Sequence, residues 1–225
     1  MAKTQKLSPM MQQYMDIKEN YRDCILFFRL GDFYEMFFDD ATTASRELEL
    51  TLTGKNCGME ERAPMCGVPF HSADTYISRL IEKGYKVAIC EQTEDPASTR
   101  GIVKREVIRV VTPGTVLSSG MLREDENNYI ASVVSDENDT GLSYCDISTG
   151  EISLTLIKGG DRRNSLINEL ARINVREVIM NDETWQINDI DEIKPVTEAY
   201  FNIIGEEYYR ADAIRDTIRK QFDVT

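Results

Sequence analysis

The chain has 225 residues, which is long enough for two domains that each bury their own core. Its 41% apolar and 29% charged content is typical of a globular protein, and no run approaches the roughly 18 apolar residues of a membrane span. The N-terminal sequence lacks the apolar core of a secretory signal, so we expect a cytoplasmic protein without membrane contact. The cysteines are widely spaced without a C-x-x-C pair, which predicts reduced thiols rather than disulfides or a zinc site: Cys24, Cys57, Cys66, Cys90 and Cys145.

The net charge of −13 is distributed unevenly along the chain. Residues 1–120 contain 15 Lys and Arg against 17 Asp and Glu, a net charge of −2, whereas the remaining 105 residues contain 11 against 22, a net charge of −11. A near-neutral first half can still collect its basic side chains on one face. The composition therefore permits nucleic-acid binding by the first half.

The first half is predicted to form a mixed sheet with flanking helices. Ser8 and Pro9 are a typical N-cap and first helical residue, and Gly31-Asp32 is a typical break between two extended segments. In chain order we expect a helix over 8–21, a buried strand over Cys24–Leu30, an extended segment over Phe33–Phe38, a helix from Asp40 to about Leu48, a short strand over Leu50–Leu52 and a polar loop over Gly54–Arg62.

The prolines of the Pro64–Pro69 segment predict an ordered connection rather than a central strand, because proline donates no hydrogen bond to a ladder. A helix is expected from an N-cap at Ser72 to a C-cap at Gly84. Two strands follow in the prediction, a buried one over Val87–Cys90 and a long one over Arg100–Thr112 that alternates basic and apolar side chains.

Turn signals at Thr112–Thr115 and Ser118–Gly120 predict a domain boundary at about 116–126, which separates residues 1–116 from residues 117–225. The second domain is predicted to open with a βββαβ order, typical of an α/β domain: strands over Tyr129–Val134, Gly141–Ile147 and Glu151–Ile157, a helix over Arg163–Ile173 and a strand over Glu177–Met180. A last helix carries Ile214, Ile218 and Phe222 on one face, and we expect its packing partners in a continuation of the chain.

Phe33 and Glu35 are the strongest candidates for a functional site. They follow a strand and a Gly turn, and residues i and i+2 of extended backbone point to the same side. An aromatic ring beside a carboxyl is suited to wedging between base steps from the minor groove, which selects mispaired bases because their stacking is already weak. Glu35 would hydrogen-bond the displaced base, and it must be protonated if that partner is a ring-nitrogen acceptor such as purine N7.

Other interpretations of the same residues remain open at this point. Phe33 could be core with Glu35 a solvated acid, and the cluster Asp32, Glu35, Asp39 and Asp40 is crowded as nuclease carboxylates are, although no Lys or His accompanies it. Asp146 is a lone strand-end acid, which is usually structural. No catalytic residue and no metal ligand set is predicted, and the P-loop pattern is absent because Asn56 follows Gly54-Lys55.

Four blocks, GDFYEMFFDDA, PMCGVPFHS, KVAICEQTEDP and VTPGT, occur in an order and spacing that resemble the amino-terminal part of the bacterial MutS family of DNA mismatch-repair proteins. The resemblance implies a mismatch-binding domain over residues 1 to about 116 and a ribonuclease-H-like connector domain without nuclease activity over the remainder. It also implies that Phe33 stacks on the mispaired base and Glu35 hydrogen-bonds to it. The positions Lys55, Met65 and Arg105 match family positions near the kinked DNA, with Lys standing at 55 where the family often has Arg.

The resemblance further implies a MutL partner for the connector domain, and a dimer in the whole protein in which one subunit inserts its Phe. ATP and Mg²⁺ belong to an ATPase domain that these 225 residues do not contain. By this resemblance the chain is a fragment that is not an enzyme, needs no cofactor, is monomeric and binds DNA weakly, since phosphate contacts supply most non-specific affinity. The alternatives are a protein-interaction scaffold with an acidic second half, and a metal-dependent nuclease.

Overall fold

The computed structural model describes residues 7–94, 101–116 and 127–224. Two compact units follow one another along the chain, and the boundary between them falls between Pro113 and Gly114. We name them unit 1 and unit 2. The predicted boundary at residue 116 stays a prediction, because residues 117–126 lie outside the described ranges.

Unit 1 is a six-stranded mixed sheet with three α-helices, as far as the described residues show, which confirms the predicted fold class. Its elements are α1 Pro9–Glu19, β1 Cys24–Leu30, β2 Phe33–Phe37, α2 Phe38–Leu48, β3 Thr53–Lys55, β4 Ala63–Pro69, α3 Ala73–Glu82, β5 Lys86–Gln92 and β6 Arg105–Val111. The strand order is β3-β4-β2-β1-β5-β6. Only the β1–β5 pair is parallel among these neighbours, and the other four pairs are antiparallel.

The core of unit 1 is built around β1, whose apolar run is buried because the strand lies inside the sheet. Leu26 and Phe28 on one face of β1 pack with Met11 and Tyr14 of α1. Helix α1 begins as predicted, since the Ser8 hydroxyl accepts a hydrogen bond from the backbone N–H of Met11 at 3.4 Å. The amphipathic helix α1 therefore closes one side of the sheet.

Two strand predictions in unit 1 are wrong. The Pro64–Pro69 segment is not a connection but most of β4, which pairs with both β3 and β2. Its two prolines lie near the ends of the strand, so the residues between them keep the N–H groups that a ladder needs. The short strand predicted over Leu50–Leu52 lies instead at Thr53–Lys55 and overlaps the start of the predicted polar loop, because the N–H of Leu50 still donates to the carbonyl of Ser45 at the end of α2.

Two further boundaries differ from the prediction. Ser72 does not cap α3 with its side chain, because its hydroxyl donates to the carbonyl of Pro69 at 3.2 Å within a 3-10 turn. The predicted strand over Arg100–Thr112 is shorter, Arg105–Val111, and Arg100 itself lies outside the described residues. The predicted glycine at the end of α3 is found: Gly84 has a φ of 84°, which glycine adopts without strain.

Unit 2 has a five-stranded sheet in the order β11-β10-β7-β8-β9. Its elements are β7 Tyr129–Ser135, β8 Asp139–Asp146, β9 Glu151–Lys158, α4 Arg162–Ile173, β10 Glu177–Met180, α5 Asp182–Ile187, α6 Ile190–Ile193, β11 Tyr200–Ile203 and α7 Ala211–Phe222. Strands β7, β8 and β9 form an antiparallel meander, whereas β10 is parallel to β7 and β11 is parallel to β10. The predicted βββαβ order is confirmed.

One face of the unit 2 sheet is covered and the other carries exposed apolar side chains. Leu166 and Leu170 of α4 pack against Val133, Leu142 and Val178 on the covered face. Exposed large apolar side chains of unit 2 include three on β9 and three on α7: Ile152, Leu154, Leu156, Ile214, Ile218 and Phe222. The last helix is thus amphipathic as predicted, and its apolar stripe is exposed.

All five cysteines are free thiols, and four of them are buried. Burial raises the pKa of the Cys90 thiol to about 12, so this thiol stays protonated and behaves as a small apolar side chain. Across the described ranges, no helix has both the length and the apolar content needed to cross a bilayer.

Candidate nucleic-acid interface

Phe33 stands at the tip of a tight hairpin in the middle of the unit 1 sheet. Strands β1 and β2 pair antiparallel up to the pair Leu30–Phe33, so only Gly31 and Asp32 connect them. Gly31 takes a φ of 58°, a left-handed conformation that glycine adopts at no steric cost. On its other side β2 pairs with β4, where Phe33 lies opposite Pro69. Phe33 is therefore held between two neighbouring strands.

The side chains of β2 alternate between the sheet face that carries Phe33 and the opposite face. Tyr34 and Met36 are buried, whereas Phe33 is 46% exposed and Glu35 is partly exposed. Phe33 and Glu35 consequently share one face of the sheet, as extended backbone requires. The Phe33 ring is therefore held in solvent by a rigid strand, because the next residue, Tyr34, is buried on the opposite face.

The hairpin tip is braced from the opposite face of the sheet by side chains that the sequence did not single out. The Arg29 guanidinium lies 3.7 Å from the Phe70 ring centroid and 5.6 Å from that of Tyr34. Glu91 Oε1 accepts hydrogen bonds from Arg29 Nη1 at 3.2 Å and from the Tyr34 hydroxyl. Burial and the Glu91 carboxylate raise the pKa of Tyr34, so its hydroxyl remains a donor.

The backbone adds a further brace, because the N–H of Phe70 donates to the carbonyl of Asp32 at 2.9 Å and fastens the turn to the end of β4. Rigid support of this kind fixes the direction in which the Phe33 ring projects. No local sequence signal marks this brace, because Arg is common at solvent-facing positions and the contact between Arg29 and Phe70 joins residues that are far apart in the chain.

Glu35 is paired with Lys55, which reaches it from β3 across the intervening strand β4. Lys55 Nζ donates to Glu35 Oε2, with 32% of the lysine side chain and 16% of the glutamate side chain exposed. Gly67 lies opposite Glu35 in the β2–β4 ladder and leaves room for its side chain. The sequence predicted Lys55 and Glu35 as separate site residues, and the structure brings them into contact.

Met65 lies on the same face of the sheet, opposite Phe37 in the ladder with β2. It is half-buried, and its backbone carbonyl accepts a hydrogen bond from the Thr53 hydroxyl at 3.0 Å. Its partial exposure keeps the prediction of DNA contact open, and its packing against the α1-covered core gives it a structural role as well.

Arg105 is turned into the protein. It is 8% exposed, its Nε donates to the carbonyl of Arg29 at 2.7 Å, and its Nη1 donates to Gln13 Oε1 at 3.0 Å and to the carbonyl of Val103 at 2.9 Å. The guanidinium also lies 5.0 Å from the Phe28 ring centroid, and burial lowers its pKa. Arg105 therefore ties α1 and β6 to β1, and contact with DNA stays a prediction for it.

The acids that suggested a metal site do not converge. Asp40 is buried and accepts hydrogen bonds from Lys18 Nζ at 2.8 Å, the Tyr14 hydroxyl at 2.9 Å and the N–H of Leu26 at 3.0 Å. Glu35 is paired with Lys55. No group of three His, Cys, Asp or Glu side chains that could hold a metal ion occurs within 7–94, 101–116 and 127–224.

Asp146, the other isolated acid, organises a turn. Its Oδ1 accepts from the N–H of Ser148 at 2.8 Å and from the Ser148 hydroxyl at 2.6 Å, and its Oδ2 accepts from the N–H of Asn128 at 3.2 Å. These bonds lower its pKa against the opposing effect of burial. Asp146 therefore has the structural role that a lone strand-end acid usually has.

Comparison with known proteins assigns both units to described domain families. Residues 8–120 match the family model of MutS domain I, and residues 128–223 match that of MutS domain II. Proteins described as DNA mismatch repair protein MutS are similar over most of the chain. The protein from Acetivibrio thermocellus is 54% identical over 217 residues, which is 96% of this chain and 25% of that protein. The protein from Clostridioides difficile is 56% identical over 197 residues, which is 88% of this chain and 20% of that protein.

A third relative, from Staphylococcus haemolyticus, is 59% identical over 176 residues, which is 78% of this chain and 20% of that protein. The chain thus spans a quarter or less of the length of these three relatives. Both family models together leave only short stretches of the described residues unmatched.

Proposed function

This chain belongs to the MutS family, of which it carries domains I and II, and from that premise we propose that unit 1 reads mispaired DNA through Phe33 and Glu35. The single observation that carries the proposal is the 46% exposure of Phe33 at the tip of a braced hairpin. Burial of that ring would be favourable, and because unit 1 leaves it exposed, the cover has to come from outside unit 1. A base step that opens in the minor groove supplies such a cover.

The proposed wedge selects defects by energy rather than by base identity. Inserting an apolar ring between base steps costs a few kcal/mol of unstacking, and a mispaired or unpaired base lowers that cost. A rigid wedge is favoured over a flexible one because no free energy is lost in ordering it on binding. The hydrogen bonds of Arg29, Tyr34 and Glu91 beneath the hairpin supply this rigidity.

Glu35 gives the wedge a directional hydrogen bond to the displaced base. A carboxylate only accepts hydrogen bonds, so a purine N7 partner requires a protonated Glu35. We expect Glu35→Gln, which is neutral and can donate, to bind mismatched duplex more tightly than Glu35→Ala does. Equal affinities of the two variants in a fluorescence anisotropy titration would contradict this hydrogen bond.

The remaining site residues have unequal support. Lys55 and Met65 share the sheet face of Phe33 and are partly exposed, which supports a place near the kinked DNA. Arg105 is committed to bonds inside unit 1, so we assign it a supporting role beneath β1 unless DNA binding rearranges α1. We assign ATP and Mg²⁺ to the ATPase part of the whole family protein and no cofactor and no enzymatic activity to this chain.

For unit 2 we propose the connector role, with MutL as its partner, and for the whole family protein a homodimer in the cytoplasm in which one subunit inserts its Phe. The exposed apolar side chains of β9 and α7 and the acidic composition of this half support a surface that contacts other protein. They equally support the second candidate, a protein-interaction scaffold that does not read DNA. Pull-down of MutL with and without residues 118–225 tests the partner, and DNA competition separates the scaffold from the reader.

The decisive experiment is a competition between mismatched and matched duplexes. The host is a chimera in which this chain replaces the matching quarter of the Acetivibrio thermocellus relative, so that the other phosphate contacts are present. We expect Phe33→Ala to remove at least about tenfold of the preference for the mismatched duplex while leaving matched binding nearly unchanged. Equal discrimination by Phe33→Ala and the parent chimera would overturn the proposed wedge and leave the scaffold.

A further inference from the structure

Lys55 and Glu35 form an ion pair on the wedge face although they stand on strands that are not neighbours. In the ladders of β4, Lys55 lies opposite Ala63 and Glu35 lies opposite Gly67. The lysine side chain must therefore run along β4 to reach the carboxylate. Its ammonium group lies 5.7 Å from the ring centroid of the fully buried Phe37, close enough for a weak cation–π contact.

This geometry distinguishes the pair from an ordinary surface ion pair. The two side chains are 32% and 16% exposed, so both are largely enclosed by the sheet face. A Cβ at position 67 would lie 3.4 Å from Glu35 Cγ. Because Gly67 has no side chain, the Glu35 carboxylate can lie within reach of Lys55. Glu35 Oε2 is taken by the lysine, and Oε1 has no hydrogen-bond partner in the part of the chain that the structure describes.

Two roles for the Lys55 ammonium group are chemically distinct. As a phosphate contact it would release a counterion and strengthen binding to every duplex, matched or mismatched. As the counter-ion of Glu35 it would offset the repulsion between a carboxylate and the phosphates that flank the minor groove, and this matters only where Glu35 enters the groove. The ion pair favours the second role, because a phosphate could bind the Lys55 ammonium group only by displacing the carboxylate that is paired with it.

We propose that Lys55 is a positioning residue: it holds the Glu35 carboxylate through Oε2, offsets its charge and leaves Oε1 to accept a hydrogen bond from an N–H group of the mispaired base. The inference rests on the proposed function of Phe33 and Glu35 and deepens it. Lys55 accordingly contributes to the preference for mismatched DNA and contributes little to the affinity for matched DNA.

A double-mutant cycle in the same chimera tests the inference. Lys55→Met removes the charge and retains an unbranched stem, Glu35→Gln removes the carboxylate charge, and Lys55→Arg is the conservative control that can still pair. We expect Lys55→Met to weaken binding of mismatched duplex about tenfold and that of matched duplex less than about twofold. In the Glu35→Gln background the same substitution should change mismatched binding less than about twofold, and Lys55→Arg should preserve the preference.

The salt dependence of matched binding is the second measurement, since each lost phosphate contact lowers the slope of log K against log salt by about one. An unchanged slope in Lys55→Met supports the role of Lys55 as the counter-ion of Glu35. A slope lowered by about one, together with an equal loss of affinity in both Glu35 backgrounds, overturns it and makes Lys55 a phosphate contact.

Phe33→Ala separates this test from that of the proposed function. If Phe33→Ala abolishes discrimination while the cycle is additive, only the inference about Lys55 fails. If Phe33→Ala leaves discrimination intact, the proposed function fails, and the inference built on it fails with it. Thermal unfolding of each variant, followed by circular dichroism, excludes loss of folding as the cause of an affinity change.

Discussion

Gly67 lies directly opposite Glu35 in the β2–β4 ladder, and a Cβ at position 67 would come within 3.1 Å of the Tyr34 carbonyl oxygen and 3.4 Å of Glu35 Cγ. The glycine of the PMCGVPF block therefore leaves space for the candidate site. The contact with the Tyr34 carbonyl involves backbone, which cannot swing aside. Any side chain at position 67 must shift β2 or displace Glu35.

We accordingly expect Gly67→Ala in the chimera to reduce the preference for mismatched DNA severalfold, because Glu35 is pushed from its place beside Lys55. Gly54→Ala is the control, since its Cβ would also come within 3.1 Å of a neighbour, Arg62 Cβ, in the same sheet, at a position that faces Pro64 rather than Glu35 in the ladder. The measurement is the ratio of dissociation constants for mismatched and matched duplexes. Equal loss in both variants would trace the effect to sheet stability rather than to Glu35.

Asp40 is the acid on which the packing of α1 depends. Its carboxylate accepts hydrogen bonds from Lys18 and Tyr14 of α1 and from the N–H of Leu26 in β1. Replacing it by Ala breaks the buried ion pair with Lys18 and removes an acceptor from all three donors, of which Lys18 and Tyr14 keep the carbonyls of Cys24 and Phe37. We therefore expect Asp40→Ala to lower the free energy of unfolding of unit 1 by roughly 3–5 kcal/mol. Asp39→Ala, at the exposed neighbouring position, should change it by less than about 0.5 kcal/mol.

Urea denaturation followed by far-UV circular dichroism measures the effect of Asp40→Ala, and the fluorescence of Trp185 serves as an internal reference. Trp185 is the only tryptophan of the chain and belongs to unit 2, so its transition should not move. The nuclease alternative makes the opposite prediction for the same variant, namely loss of Mg²⁺ or Mn²⁺ binding in calorimetry with little change in stability.

The depressed pKa of Glu47 predicts that its contribution to the stability of unit 1 is lost in acid. Hydrogen bonds from Lys83 at 2.9 Å, from Arg46 and from the Tyr85 hydroxyl at 3.2 Å lower its pKa from 4.5 to about 2. Because the folded pKa is depressed, the stabilisation is fully present above pH 4.5 and is lost as the pH falls towards 2. These bonds join the end of α2 to the segment between α3 and β5.

We expect the difference in urea midpoint between the parent and Glu47→Gln to be largest near neutral pH and to shrink as the pH falls from about 4.5 to about 2. Subtracting the variant from the parent removes the titration of the other carboxylates. Glu49→Gln is the control, because the Glu49 side chain is 86% exposed and its ion pair with Arg79 is long, at 4.0 Å. A pH-independent difference for Glu47→Gln would contradict the depressed pKa.

Leu154 is the most exposed large apolar side chain among the described residues, at 81%, and it lies on the edge strand β9 between Ile152 and Leu156. An exposed apolar edge strand is a template for pairing with another chain. We expect Leu154→Lys to reduce self-association in sedimentation velocity at high concentration and to leave the Trp185 unfolding midpoint unchanged. Thr155→Lys is the control, because it lies on the same strand with its side chain on the other face. Equal self-association of Leu154→Lys and the parent would show that the exposed side chains of Ile152, Leu154 and Leu156 do not mediate self-association.

Most of the elements up to β10 could be predicted from the sequence, because periodicity and caps are local signals, whereas α5, α6 and β11 were not predicted. The strand Glu177–Met180 and the cap at Ser8 are where the pattern places them. Strand β4 was not predicted, because its prolines argue against a ladder and the sequence does not show that strands β2 and β3 lie beside it. Phe33 and Glu35 were singled out as candidates by their spacing and by the family resemblance, and their role stays a prediction. The contact between Lys55 and Glu35 depends on the order β3-β4-β2, which no local pattern encodes.

Gly114 of the VTPGT block, which the sequence analysis predicted as part of a turn and of the family resemblance, has a packing role in unit 2. The N–H of Gly114 donates to Glu177 Oε2 at 2.8 Å, and Asn202 Nδ2 donates to Glu177 Oε1 at 2.7 Å, so the buried carboxylate joins the start of unit 2 to β10 and β11. A Cβ at position 114 would lie 2.8 Å from both Glu177 Cβ and Ile130 Cβ. Atoms this close to the backbone cannot move aside without shifting the strands.

We therefore expect Gly114→Ala to lower the free energy of unfolding of unit 2 by about 1–3 kcal/mol, as overpacking of a closely packed site does. Trp185 fluorescence during thermal or urea unfolding reports unit 2 directly, because the ring packs against Phe201 with centroids 6.5 Å apart. Gly160→Ala is the matched control, since no heavy atom lies within 4 Å of its Cβ, and its midpoint should stay within about 0.5 kcal/mol of the parent. Coincident midpoints for Gly114→Ala and Gly160→Ala would show that Gly114 is not packed as closely as the 2.8 Å approach requires.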